Sequence, residues 1–214
     1  MREKNLFDLL AAVSKKTAHK TKPTQPACQP FSLESLAAEV VRCARCSLRL
    51  GADRVVFGEG NPQAKLIFVG DAPGVDEDLQ GRPFVGAAGQ LLNKILAAAE
   101  IKREEIYLTN VIKCRPPENR KPQPEEVAVC REHLRRQIEM IRPAIIVCLG
   151  SFAARALVNN AAGANPAHGR WCELNGVRML PTFHPAELLL DPAKKKPVWQ
   201  DIQQVRDAYR LLTF

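Results

Sequence analysis

No stretch of the 214 residues approaches the eighteen or so uninterrupted apolar positions that a membrane-spanning helix requires. The opening residues, MREKNLFDLLAAVSKK, offer one short apolar patch, and Asp8 interrupts it. Neither a secretory signal nor an anchor is expected, and a cytoplasmic protein without membrane contact is the reading. The cysteines lack the compact, even-numbered arrangement of a disulfide framework. Seven of them, Cys28, Cys43, Cys46, Cys114, Cys130, Cys148 and Cys172, are spread along the chain, which favours a reducing compartment and metal ligation. From Lys15 to Pro30 apolar periodicity is also lacking, and Lys, Thr and Pro take its place. Residues 1–30 therefore read as a flexible basic extension and residues 31–214 as one folded domain.

The formal charge of +8 points to a polyanionic partner, although half of it lies in residues 1–30, leaving the body a modest inclination toward nucleic acid. Within that body, SLESLAAEVVRCARC reads as an N-capped helix, with Ser32 three residues before Ser35 and Leu33, Leu36, Ala37, Val40 and Val41 on one face. Short apolar strands (65–70, 105–112, 143–150) then alternate with helices (88–100, 124–141, 151–158). Pro124 suits a first helical turn, and Asn175-Gly176 between two alternating runs signals a hairpin. A last amphipathic helix is expected over about 198–212. Strands alternating with helices imply a parallel sheet covered on both faces, with the site at the carboxyl ends of its strands.

Applied to this chain, that rule gathers Gly70-Asp71-Ala72-Pro73-Gly74, Asn110 and Phe183-His184-Pro185 at one edge. One carboxylate, one amide and one imidazole then converge in a small polar pocket. Elsewhere, Cys43 and Cys46 form a C-x2-C pair, while Cys114 and Cys130 follow far downstream with fifteen residues between them. Four thiolates drawn from two distant parts of a chain suit a metal centre, and spacing alone admits either zinc or an iron–sulfur cluster. Cys148 reads as a small core hydrophobe.

The ordered segments GDAPGVDEDLQGRPFVGAAGQLLNKIL, YLTNVIKCRPPENRKPQPEE, CLG and FHPAELLLDP resemble the type 4, iron–sulfur-containing enzymes of the uracil-DNA glycosylase superfamily, over roughly residues 35 to 212. The resemblance implies a three-layer αβα sandwich around a central, mainly parallel four-stranded sheet. It implies a structural [4Fe-4S] cluster on Cys43, Cys46, Cys114 and Cys130. The expected activity is removal of uracil from DNA by hydrolysis to an abasic site, by a monomer whose N-terminal extension is the place for a replication or repair partner.

Residue roles follow from the same resemblance. Gly70, Asp71 and Ala72 match the first catalytic motif, where the carboxylate polarises a water; Asp71 stands where the family usually has Glu. Phe84 matches the aromatic residue that stacks on the extruded base, and its Arg, Pro and Gly neighbours suggest an exposed edge. Asn110 matches the amide that reads the base: one donor and one acceptor suit the N3–H and O4 of uracil and mispair with cytosine. His184 matches the second motif, where an imidazole N–H stabilises charge on the departing base. The residues after it are expected to form a loop entering the duplex, with Leu188 and Leu189 as apolar wedges. Arg115, Arg120 and Lys194 are candidate phosphate contacts. Two further departures from the family pattern are Leu190, where Arg is common, and Glu187, where an aromatic or small residue is common. No lysine lies within the matched catalytic motifs, so lyase chemistry is not expected. The alternatives are a superfamily member acting on hypoxanthine or xanthine and a noncatalytic iron–sulfur DNA-binding module.

Overall fold

The computed structural model describes residues 32–158 and 167–213; the N-terminal extension and Cys28 lie outside them. The chain runs through α1 (Leu33–Val41), α2 (Leu48–Gly51), β1 (Glu59–Gly60), β2 (Leu66–Gly70), α3 (Val75–Gln80), α4 (Ala87–Ala98) and β3 (Tyr107–Asn110). It continues through α5 (Pro124–Ile141), β4 (Ile145–Leu149), α6 (Ser151–Val158), β5 (Cys172–Leu174), β6 (Val177–Thr182), α7 (Pro185–Leu190) and α8 (Lys195–Thr213).

The sheet order is β1-β3-β2-β4-β6-β5. Its centre, β3-β2-β4-β6, is wholly parallel, and this is the four-stranded sheet expected from the sequence. Two short antiparallel strands extend it, β1 on β3 and β5 on β6. The Asn175-Gly176 turn is a two-residue hairpin with both residues at positive φ, 52° and 80°, as a turn compatible with strand twist requires.

Period-2 alternation divides each central strand between two cores. Ile67, Val69, Tyr107, Ile146, Cys148 and Met179 face one core with Leu36, Val40, Leu134 and Ala153 of α1, α5 and α6. Leu66, Phe68, Leu108, Ile145, Val147 and Leu180 face the other with Leu92, Leu96, Ile202 and Val205 of α4 and α8. Three layers result. Among the described residues no helix is long and apolar enough to cross a membrane.

Local chemistry fixes the helix starts. Ser32 and Ser35 exchange side-chain and backbone hydrogen bonds in a capping box before α1, and Pro124 opens α5 at its first turn. The expected loop after His184 is instead α7. His184 is its N-cap, accepting from Ala186 N at 3.1 Å; Pro185 is preset for the first turn; and the Glu187 carboxylate accepts the His184 N–H at 3.0 Å. Those three residues close a helical turn that the expectation of an open loop overlooked.

Candidate active site and thiol cavity

The carboxyl ends of β2 and β3 are in register, with Gly70 opposite Asn110. Hydrogen bonds from Val111 N to Gly70 O (2.9 Å) and from Ile112 N to Asp71 O (3.0 Å) carry the pairing past both strands. A Cβ on Gly70 would lie 2.5 Å from Asn110 Oδ1 and 2.7 Å from Phe84 Cζ. Only glycine allows the amide and the aromatic ring to approach the strand end together. Asn110 is 2 % exposed, and its Oδ1 is buried without a hydrogen-bond partner.

Phe84 differs from its expected exposed setting: it is 4 % exposed and belongs to the α4/α8 core, with φ of 54°. Its ring lies 6.2 Å from that of His184 at a 30° tilt. Arg103 donates to the Pro83 and Phe84 carbonyls while the ring turns inward. Ala72 is partly buried against the opposite core.

Asp71 and His184 both flank Gly150, whose Cβ, if present, would lie 3.2 Å from Asp71 Oδ1 and 3.3 Å from His184 Cβ. Asp71 Oδ1 accepts the Ala153 N–H of α6 at 3.0 Å. Burial nevertheless pushes its carboxyl up to about 6, with the Glu187 charge adding to the rise. Burial pushes the His184 imidazole down to about 4. His184 is therefore neutral at pH 7, and because Nδ1 accepts from Ala186 N, its proton resides on Nε2.

The expected DNA contacts divide. Leu188 is a correction: at 2 % exposure it packs in the α4/α8 core, because the helical turn of α7 rotates it inward. Leu189 and Leu190 are 51 % and 87 % exposed. Arg115 donates to Asn119 Oδ1 at 3.0 Å. Arg120 grips the buried Glu126 with both terminal nitrogens (2.7 and 2.9 Å). Lys194 pairs with Glu187 at 2.7 Å and lies 4.9 Å from the Phe183 ring centroid.

Cys43, Cys46, Cys114 and Cys130 line one small cavity beside His133 and Lys113. Burial pushes the Cys114 thiol up to about 12, and ionised Cys130, Cys46 and Cys43 each push it the same way. Four thiolates can share this cavity only around a cation. Lys113 N donates to Cys130 Sγ at 3.2 Å, and His133 Nε2 lies 3.4 Å from Cys43 Sγ. Among the described residues no three His, Cys, Asp or Glu side chains are grouped to hold one metal ion.

Sequence reasoning missed three supports. Lys113, fully buried, donates from Nζ to Thr109 Oγ1 (2.6 Å), the Asn110 carbonyl (2.7 Å) and Gln137 Oε1 (2.5 Å), and so steadies the strand end that carries Asn110. A lysine inside the apolar run NVIKC was the available signal. Glu77 and Arg103, which hold the Phe84 backbone, carry no comparable local signal.

A parallel α/β fold whose carboxyl edge presents a buried amide, an aromatic ring, a neutral imidazole and a carboxylate defines an enzyme suited to a flat, hydrogen-bonding heterocycle. The chain belongs to the uracil DNA glycosylase superfamily, whose family model matches residues 57–203. It is 42 % identical over 184 residues to the type-4 uracil-DNA glycosylase of Archaeoglobus fulgidus, covering 81 % of this chain and 92 % of that protein. Identity to the type-4 uracil-DNA glycosylase of Thermotoga maritima is also 42 %, over 182 residues, with 81 % and 93 % covered. A type-5 uracil-DNA glycosylase of Pyrobaculum aerophilum is 34 % identical over 146 residues, with 60 % and 64 % covered.

Proposed function

We propose that this chain removes uracil from DNA, hydrolysing the N-glycosidic bond to leave an abasic site. The unpartnered, buried Oδ1 of Asn110 carries the reading. Leaving such an oxygen unsatisfied costs roughly 1–3 kcal/mol, a cost recovered when the N3–H of uracil donates to it. Cytosine presents an unprotonated N3 at that place and leaves the oxygen unpaired.

In this mechanism the flipped base stacks on Phe84 and is read by Asn110. The neutral His184 directs Nε2–H at the O2 of the departing uracil, where negative charge collects as the bond breaks; a neutral donor stabilises that charge without having to lose a proton at pH 7. Asp71, with Oδ1 fastened to Ala153, uses its second oxygen to orient and polarise the water that captures the sugar. Leu189, Leu190, Arg115, Arg120 and Lys194 are the proposed DNA contacts, while Leu188 supports α7 from within.

Cys43, Cys46, Cys114 and Cys130 hold a [4Fe-4S] cluster in this proposal. The four thiols face one cavity, as ligands of one centre must, and the likeness to type-4 enzymes favours the cluster over zinc. When bound, the cluster supplies a structural anchor. The Pro-rich stretch from Arg115 to Gln123 has little regular hydrogen bonding of its own, and ligation at Cys114 before it and at Cys130 in α5 behind it ties it down. The protein is proposed to act in the cytoplasm as a monomer, with the N-terminal extension available to a repair or replication partner.

The test is strand scission at alkali-labile sites in oligonucleotides bearing one uracil, one hypoxanthine or no lesion, using anaerobically purified protein. Selective cutting at uracil is expected. Selective cutting at hypoxanthine replaces the assigned lesion, and no cutting by cluster-replete protein overturns the enzyme reading.

A further inference from the structure

Phe84 holds a left-handed backbone conformation, φ 54°, that aromatic residues rarely adopt and that persists only where the surroundings over-determine it. Two side chains grip its flanks. Arg103 donates from Nη2 to the Pro83 carbonyl (2.8 Å) and from Nη1 to the Phe84 carbonyl (3.3 Å). On the other side, Glu77 Oε1 accepts the amides of Val85 (2.9 Å) and Gly86 (3.0 Å).

Both gripping residues are themselves held. Arg103 binds Glu59 Oε1 through Nη2 and Nε (2.6 and 3.1 Å), and Asn93 Oδ1 at 2.7 Å. Glu77 Oε2 accepts Gly74 N at 3.2 Å, which ties the platform to the loop that bears Asp71. Gly89 admits no side chain, because its Cβ would lie 2.0 Å from the Phe84 carbonyl oxygen.

We propose that Arg103 and Glu77 are positioning residues that clamp the strained backbone of Phe84, so that the ring is already set as a stacking platform before the base arrives. This deepens the proposed uracil-excising function and rests on it. Neither side chain touches the base in this scheme; both act through Phe84. A preset platform spares the base the ordering cost at the moment of binding, and stacking contributes equally before and during bond cleavage. The consequence is a defect in substrate binding, with bond cleavage little changed.

The experiment compares wild type, Arg103→Met, Arg103→Lys, Phe84→Ala and Arg103→Met/Phe84→Ala on a single-uracil duplex. Arg103→Met is expected to raise KM about tenfold with kcat nearly unchanged, and Arg103→Lys to recover part of the loss. The double variant is expected to be no worse than Phe84→Ala alone, since the clamp has no function without its ring. Amide exchange at Val85 and Gly86, which requires no substrate, is expected to accelerate at least about tenfold in Arg103→Met. Independent, multiplicative effects of the two substitutions, or unchanged exchange and KM with only a lowered Tm, would overturn the proposal. Should Arg103→Met not fold, Glu77→Gln is read in the same cycle with Phe84→Ala against the same criteria. Uracil release by wild type tests the assigned activity separately, and the exchange measurement tests the clamp whether or not that activity is found.

Discussion

Asp71 Oδ1 accepts the backbone N–H of Ala153 at 3.0 Å, which fastens the carboxylate of the first motif to the first turn of α6. The carboxylate is thereby given a fixed direction, with one oxygen committed to the helix. Partial positive charge at a helix start favours the ionised form, yet burial outweighs it.

The proposed base must be ionised to accept a proton, and its ionisation lies at about 6. The expected kcat/KM for uracil release therefore falls about tenfold per pH unit well below that value and levels above it. His184 stays neutral throughout this range, since its ionisation lies at about 4. A pH–rate profile of single-turnover cleavage checks both statements; a plateau extending down to pH 5 removes Asp71 from the role.

Asp71→Asn is expected to separate activity from stability. Between pH 3.8, the ordinary value, and about 6, the folded protein retains a proton on Asp71 that the unfolded chain has lost. Stability due to this group therefore declines as pH rises through that window, and the full cost, roughly 2–3 kcal/mol, is present above it. The amide can still accept from Ala153 but never ionises. Thermal unfolding is expected to find Asp71→Asn more stable than wild type at pH 7.5 and equal to it near pH 3.5, with activity at pH 7.5 reduced at least about a hundredfold.

Asn110→Leu removes an uncompensated buried oxygen and retains a similar volume. The variant is expected to fold with stability unchanged or raised by about 1 kcal/mol, and to lose uracil release at least about a hundredfold. Chemical denaturation together with cleavage assays provides the check. A clear loss of stability would mean that the amide is satisfied inside the folded protein and does not wait for a ligand.

The long elements of this fold were legible because their signals are local. Pro124 and the 3.6-residue periodicity behind it gave α5; alternation about Asn175-Gly176 gave the hairpin; the apolar runs gave the central strands. Strand β1, only Glu59–Gly60, is too short to carry a pattern, and its partner β3 lies more than forty residues away. The placement of the candidate site was legible where a polar group sits at or just past a strand end, as at Asp71, Asn110 and His184. It was not legible where a residue is held by distant partners. Phe84 is gripped by Arg103, nineteen positions later, and the inward rotation of Leu188 depends on the helical turn capped by His184, Pro185 and Glu187.

The four cysteines make a compositional prediction. Anaerobically isolated protein is expected to be brown, with about four irons per chain and little zinc. Cys130→Ser is expected to abolish the visible absorption and to expose the stretch from Arg115 to Gln123 to proteolysis, since the anchor behind it in α5 is lost. Stoichiometric zinc without iron would replace the cluster with a mononuclear site.

Leu188 and Leu190 stand two positions apart on α7 and are expected to fail in different ways. At 2 % exposure, Leu188 contributes to the core, so Leu188→Ala leaves a cavity and costs about 2–5 kcal/mol, lowering the activity of paired and single-stranded substrates alike through the folded fraction. Leu190 is 87 % exposed, so Leu190→Ala costs the fold little. If its side chain fills the space vacated by a flipped nucleotide, the loss appears on duplex uracil, where a stacked and paired base must be extracted, and is small on single strands, where extraction is cheap. An expected ratio of about tenfold between the two substrates separates a wedge from a core residue. Leu190→Arg, which restores the charge common in the family, is expected to tighten duplex binding and to steepen its salt dependence by about one counterion.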